Sequence, residues 1–577
     1  MRRPPPSRPV AAPSALEPLL VAAAVSAVVL CWVDIGVAAL VSAHRWRDVP
    51  LRDALALVLG LVIHRGDVTA AVPPALAASL PRSAAAYLVL PGALLIASAG
   101  RIGSRLRRAR SGERDAPAAW GGPRAAGALV VRGPERGRLA LGLCGRRMLA
   151  AESQHSVLVV GPTQSGKTSG FVVPALLEWE GPVLATSVKS DLVRATLAAR
   201  QRRGPVQVFD PAGVSGVPGA CWSPISEVAD WATARQGAAA LCAVARTGGL
   251  EDGGFWYSLA EKLLAPLLFA AARSGVGVAD LVRWVDTEEV AEVADALEAA
   301  GVEEAVRAFV ASIGREERQR SSVYATLETV LGAYADPLVA ASAARSDIDP
   351  RRLLGGSRPA TCYLVAPARE QQRLEPVFVA LVRSVLDQAF AASARSGTPL
   401  DPPLLVVLDE AANVAPLSDL DAIAATAASH GIQLVTVWQD LAQIEARYGP
   451  RAATVMNNHR AKVLCSGVSD PATLERVSAL IGDAERWSET SSVEAGGGWS
   501  RTRSAAPRRL APGDALRRLP PGEAVLLYGH LPPLRLRLRL AHRDRRLIRL
   551  QRGEPSRRWR ARRWRTIGAA AGSRRGL

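Results

Sequence analysis

Apolar residues fall into three kinds of run along this chain. The first kind is long. Leu19 to Ser42 is 24 residues with one ionisable group, Asp34, and Ser83 to Gly100 is 18 residues without charge, broken by Pro91. Runs of that length predict two membrane-crossing helices. Arg2, Arg3 and Arg8 precede the first, and Arg101, Arg105, Arg107, Arg108 and Arg110 follow the second. Positive outer flanks place both ends on the cytoplasmic side, although five arginines in the intervening loop weaken the asymmetry. Ala54 to Ile63 is too short to cross and reads as an interfacial or packed helix. A cleaved signal peptide fits poorly, since the first run is too long and a second follows. Asp34 is expected near an interface or a neighbouring helix, because a lone carboxylate in hydrocarbon is costly.

The second kind of run is short and ends in chemistry. Val157–Val160, Leu404–Leu408 and Gln433–Trp438 read as buried strands of a parallel sheet. The third kind is alanine-rich with helical spacing: Ala229 to Ala245, Leu259 to Ala272, Val290 to Ile313 and Ser321 to Tyr334. Leu534 to Leu540 alternates Leu and Arg with period two and predicts a closing strand. Glu485 to Ala511 is rich in Ser, Gly and Arg and reads as a loop or linker.

The strand ends carry the candidate site. Val157–Val160 runs into Gly161-Pro162-Thr163-Gln164-Ser165-Gly166-Lys167-Thr168, a phosphate-binding loop followed by an uncharged helical stretch. Backbone N–H groups of such a loop and the start of the next helix face an anion. Lys167 would reach the β- and γ-phosphates of ATP, and Thr168 would hold Mg²⁺. The chain has only four lysines, Lys167, Lys189, Lys262 and Lys462, among 71 basic residues. It uses arginine wherever any cation serves, so a lysine here answers the need for a compact ammonium. Leu404–Leu408 ends in Asp409-Glu410, read as the Mg²⁺ partner and the residue that polarises the attacking water. Gln433–Trp438 ends in Gln439, placed to sense the γ-phosphate or orient water. Together these predict an α/β fold, a RecA-like P-loop NTPase core.

Several further stretches appear in a recognisable order: Leu139-Ala-Leu-Gly142, Val173-Pro-Ala-Leu-Leu177, Ser187-Val-Lys-Ser-Asp191, Phe209-Asp-Pro211, Trp222-Ser-Pro224, Phe255-Trp256, Leu408-Asp-Glu-Ala-Ala-Asn413, Gln439-Asp-Leu-Ala-Gln443 and Ser469-Asp-Pro-Ala-Thr473. With the phosphate loop they make residues 139 to 540 resemble the type IV secretion coupling proteins of the TraG/TraD kind, ATPases of conjugation. The resemblance implies a membrane anchor over 1–110 with helices at about 19–42 and 83–100. It implies a nucleotide-binding domain in two parts, 111–224 and 349–545, interrupted by an inserted all-α domain over 225–348. It implies ATP and Mg²⁺ as cofactors, and as partners single-stranded DNA with its relaxase, the channel subunits and the plasma membrane. It also implies a homo-hexameric ring with the ATPase body in the cytoplasm. One departure stands out. Relatives carry an arginine before the glycine that opens the Gln439 strand, proposed as a finger acting in a neighbour. Here the residues are Ala428-Ser429-His430-Gly431, and Arg460 is one of many substitutes.

Composition adds two points. Cys31, Cys144, Cys221, Cys242, Cys362 and Cys465 show no metal-ligand spacing and suit a reduced compartment. The net charge of +18 belongs wholly to residues 501–577, which hold 22 arginines and four acids. Arg557-Arg-Trp-Arg-Ala-Arg-Arg-Trp-Arg565 sits in the tail read over 546–577, predicted disordered, and suits a nucleic acid, an anionic lipid surface or plain solvation. Two other functions fit less well. A double-stranded DNA translocase of the FtsK/TraB kind is disfavoured by Phe255-Trp256 and by Gln439 to Gln443. A non-hydrolysing nucleotide-binding receptor is disfavoured by intact Lys167, Thr168, Asp409 and Glu410.

Overall fold

The computed structural model describes residues 118–245, 253–493 and 499–554, with Trp32 and Val33. Contacts divide the chain into Met1–Ala116 and Pro117–Leu577. Apart from Trp32 and Val33, which are helical, the two predicted membrane helices lie outside the described residues, as does the tail beyond Glu554.

A 12-stranded sheet organises the described part. Its strands are β1 (Val130–Val131), β2 (Ala140–Cys144), β3 (Arg147–Ala150), β4 (Val157–Val160), β5 (Val183–Ser187), β6 (Val206–Phe209), β7 (Thr361–Val365), β8 (Leu404–Leu408), β9 (Ile432–Trp438), β10 (Ala461–Cys465), β13 (Glu523–Tyr528) and β14 (Leu534–Arg537). A separate two-stranded ribbon pairs β11 (Asp483–Val493) with β12 (Trp499–Arg509). The sheet order is β1-β3-β2-β14-β13-β10-β4-β9-β8-β5-β7-β6. From β10 to β6 every neighbour is parallel. From β10 outward through β13, β14, β2, β3 and β1 every pairing is antiparallel. The parallel strands are apolar on both faces because both faces are covered. Leu158 and Val160 enter one core, Val157 and Val159 the other.

Most helices lie on the Leu158 face. Between β6 and β7 the described chain makes only helices. The longer ones are α1 (Trp231–Ala245), α2 (Gly253–Ser274), α3 (Val278–Asp286), α4 (Ala291–Ala300), α5 (Glu303–Ile313) and α6 (Glu317–Leu331). The single predicted helix Val290 to Ile313 is in fact two. Gly301, at φ 68°, closes α4 in the left-handed region that stops a helix at little steric cost. Helix α7 (Gln371–Ser396) packs on α1 and joins this layer to the sheet in one core. Helices α2 and α7 are long and apolar enough to cross a membrane, yet the apolar windows of both are more than half buried, as in core helices.

Two expectations need correction. Glu485 to Ala511 is largely a hairpin rather than a loop, with β11 and β12 paired in register from Asp483↔Arg509 to Val493↔Trp499. The Ser/Gly composition hid it, because the glycines cluster in the connection while the flanking runs extend and pair. The tail read over 546–577 begins with structure. Helix α8 (Arg545–Gln551) is capped by Asp544 and buries Leu547 and Leu550. The predicted closing strand is β14, ending at Arg537, after which Leu538 and Leu540 pack beside Gly170.

Candidate nucleotide site

The carboxyl ends of β4, β8 and β9 meet because β9 lies between the other two and pairs in parallel with both. The Gly161 N–H donates to the Trp438 carbonyl at 3.0 Å, which ties the loop after β4 to the end of β9. A Cβ on Gly161 would stand 2.6 Å from Ser165 Oγ and 2.7 Å from Cys465 Cβ, so only glycine lets the loop close. Gln164, at φ 65°, takes the left-handed turn at the crest, where it and Thr163 are exposed, with Pro162 half-buried beside them. Thr168 begins a π-helical turn, Thr168–Val172, that runs directly into Val173–Glu178. The loop amides and this helix start form an anion cradle.

Five predicted residues converge on it. Lys167 is 6% exposed; its ammonium donates to the Gly161 carbonyl and lies 3.9 Å from Glu410 Oε1. The Thr168 hydroxyl donates to Asp409 Oδ2 at 3.2 Å. The Gln439 side-chain amide donates to Glu410 Oε2 at 3.2 Å. Glu410 itself sits at φ 57°, a conformation that costs a non-glycine residue about 1–3 kcal/mol. Backbone bonds hold it there: Asn413 and Val414 donate to its carbonyl, and Ala411 donates across to Val437.

The charges are not balanced. Burial pushes the Asp409 carboxyl up to about 6, and the adjacent Glu410 carboxylate adds to it; the Thr168 hydroxyl and Lys167 offset part. Two carboxylates thus share one buried ammonium. Ser165 Oγ, also buried, has no hydrogen-bond partner. These residues fit a polyphosphate with its divalent cation. A hydroxyl and a carboxylate oxygen are the hard donors Mg²⁺ prefers, and a cation there would draw Asp409 back to its charged form. The donors of the cradle would then meet phosphate oxygens.

Two supporting residues escaped the reading of strand ends. Thr186 of β5 is fully buried and donates to the Asp409 carbonyl at 3.0 Å, fixing the direction of the β8 tip. A threonine inside the apolar strand Val183–Ser187 was its only signal. Gln443 accepts the Gln439 backbone N–H at 3.0 Å. It was noticed as part of a motif, without a role. Elsewhere, Phe255 is 56% exposed, while Trp256 packs against the core. At the spot where relatives place an arginine, His430 stacks edge-on against Phe390 at 4.9 Å. Arg460 lies just before β10, at the end of the sheet remote from its own phosphate loop.

This arrangement, strand by strand, is that of a P-loop nucleotide-binding core, and the chain belongs to the family described as Type IV secretory system Conjugative DNA transfer, whose model matches residues 127–557. It is similar to the conjugal transfer protein TraG of Escherichia coli, 28% identical over 334 residues, covering 52% of this chain and 51% of TraG. It is also similar to protein VirD4 of Agrobacterium fabrum, 27% identical over 442 residues, covering 73% of this chain and 64% of VirD4. The chain thus spans about half the length of the TraG relatives it matches and somewhat more of VirD4. Its fold is that of the bacterial conjugative coupling protein TrwB. The unbound form has a TM-score of 0.56 at 17% identity, covering 74% of this chain and 93% of that one. A complex of TrwB with ADP and Mg²⁺ gives 0.54 at 18% identity, covering 74% and 94%.

Proposed function

We propose that this protein is a membrane-anchored ATPase that couples ATP hydrolysis to the recruitment and translocation of DNA, or a protein–DNA complex, through a type IV secretion channel. The observation that carries the reading is the convergence of Lys167, Thr168, Asp409, Glu410 and Gln439 at the tips of three adjacent strands. Family membership supplies the biological setting, and the TrwB complexes with ADP and ATP analogues support nucleotide as the ligand.

In this reading the loop Gly161 to Thr168 binds the phosphates, and Lys167 neutralises charge on the transferring group. Mg²⁺, held by Thr168 and Asp409, supplies charge stabilisation on the phosphate oxygens. Glu410 takes the proton of the attacking water, and Gln439, bonded to Glu410, positions it. Glu410 suits the task because it is partly exposed and shares Lys167 with Asp409. Residues 1–110 form the anchor with helices at about 19–42 and 83–100, the body faces the cytoplasm, and residues 225–348 form an inserted α-helical domain that receives substrate. Single-stranded DNA with its relaxase is the substrate, the channel subunits are the partners, and the working unit is a homo-hexameric ring. ATP turnover by the purified full chain tests this. The account expects stimulation by single-stranded DNA and loss of turnover in Lys167→Ala. DNA-independent turnover unchanged by that substitution would refute it.

A further inference from the structure

A cleft of about 620 Å³ opens on the helical face of β4, β10 and β13. Its lining runs along β4 from Ser156 to Val160 and along β10 from Arg460 to Leu464, and it includes none of the residues of the site above. Its volume is within the ~300–1,000 Å³ of small-molecule sites. Its charge is one-sided. Arg460, Lys462 and Arg476 line it, and among the described lining residues there is no carboxylate. Lys462 lies in β10 and Arg460 in the bend just before it, and both line the cleft. Arg476 is already paired with Glu445, but Lys462 reaches only the His459 carbonyl, at 2.8 Å. Burial, and then Arg460 beside it, lower the Lys462 pKa. A chain that writes arginine almost everywhere places one of its four lysines here.

Two further features point to an occupant. Ser156 is 3% exposed, lines the cleft, and its hydroxyl has no hydrogen-bond partner. Buried hydroxyls are almost always bonded, so this one is free to meet a ligand. Gln154, also in the lining, sits at φ 68°, backbone strain of the kind that gathers at ligand sites. The floor is apolar, with Leu158, Leu464 and Met456. An apolar floor beneath a cationic rim suits a flat heteroaromatic ring carrying phosphate.

We propose that this cleft is a second nucleotide site, taking a nucleoside phosphate either free or as one unit of single-stranded DNA, with Arg460 and Lys462 on the phosphate and Ser156 hydrogen-bonded to the ligand. The assignment does not depend on the phosphate loop. Two measurements on the full chain test it: calorimetry with ADP, and anisotropy with a labelled ten-residue oligothymidylate. If free nucleotide is the ligand, the chain binds two ADP equivalents; Arg460→Ala with Lys462→Met removes one and Lys167→Ala the other. If DNA is the ligand, one ADP equivalent is found, and the double variant loses at least about tenfold in oligonucleotide affinity. Its salt slope becomes shallower by about 1.4 units, two contacts at ~0.7 each. The Lys167-dependent equivalent reports folding. Should the double variant lose it, Arg460→Ala alone, a truncation at an exposed residue, shows the same losses with about half the change in slope. Wild-type isotherms for both ligands would overturn the proposal. So would loss of turnover with both isotherms unchanged, which would instead place Arg460 at a neighbour's phosphate loop.

Discussion

Two groups of buried charge lie on either side of Val173–Glu178, and they are built on opposite principles. On one side, Arg539, 6% exposed, is held by Glu178 at 2.7 and 3.0 Å and by Asp544 at 2.9 Å. Arg546 adds a second guanidinium 3.6 Å from Glu178, so two cations meet two carboxylates. Burial lowers the Arg539 guanidinium, but the bonds to Glu178 and Asp544 carry it net above its ordinary value. Burial likewise raises Asp544, and Arg539 brings it net below. On the other side, Asp409 and Glu410 crowd one lysine, Ser165 lacks a partner, and Glu410 is strained. The first cluster is complete without a ligand and belongs to stability. The second is incomplete without one and belongs to function. Buried charge marks a functional site only where its sum is left unbalanced.

The largest effect expected is Lys167→Ala, which takes away the ammonium that faces two carboxylates and the phosphates. Turnover falls below detection and ATP affinity drops, read by phosphate release and calorimetry. The matching change in the complete cluster, Arg539→Ala, strips the buried Glu178 of both its guanidinium hydrogen bonds and leaves Arg546 at 3.6 Å. It costs ~3–5 kcal/mol of stability, read from the denaturant midpoint, since breaking a buried pair leaves a charge under-compensated.

Acid titration separates the two clusters by sign. Asp409 of the ligand-free fold keeps its proton up to about pH 6, whereas an ordinary aspartate loses it near 3.8. Between those values the folded state binds more protons, so this residue makes stability fall as pH rises, by about 3 kcal/mol at most. Asp409→Asn removes that slope. Asp544 is shifted the other way, so its contribution is present above the ordinary carboxylate value and is lost as pH falls below it. Scanning the denaturant midpoint of both variants from pH 3 to 7 checks the pair of signs.

The smallest effect concerns the tail. Removing residues 555–577 leaves α8 and Asp544 in place, so basal turnover is unchanged. DNA affinity weakens, and the salt slope falls by about two units if three of the six arginines from Arg557 to Arg565 engage phosphates. A cut after Leu540 would differ, because it also takes Asp544 from Arg539.

How much of this was legible in the sequence follows from the range of the interactions. Phosphate loop, Asp409-Glu410 and Gln439 were legible because each ends a short apolar strand, and a strand end is a local pattern. Thr186 was not, since its hydroxyl matters only once β5 lies beside β8. Arg539 was read as one position of a Leu/Arg alternation; its partner Glu178 is 361 residues away. The hairpin β11–β12 was hidden because its pairing partners are polar and its connection glycine-rich. In the antiparallel half of the sheet β14 was legible as a Leu/Arg alternation, but its neighbours were not, because β1–β3 and β13 lie far apart in the chain.

The claim that the unbalanced carboxylates serve chemistry is tested most directly by Glu410→Gln, with ATP binding and ATP turnover measured on one preparation. The substitution keeps shape and removes the base. Turnover should fall by ~10²–10⁴, the usual contribution of a positioned base, while ATP affinity is kept or improves as one of two crowded negative charges is lost. ATP binding lost along with turnover would contradict the account and make Glu410 a structural residue like Glu178.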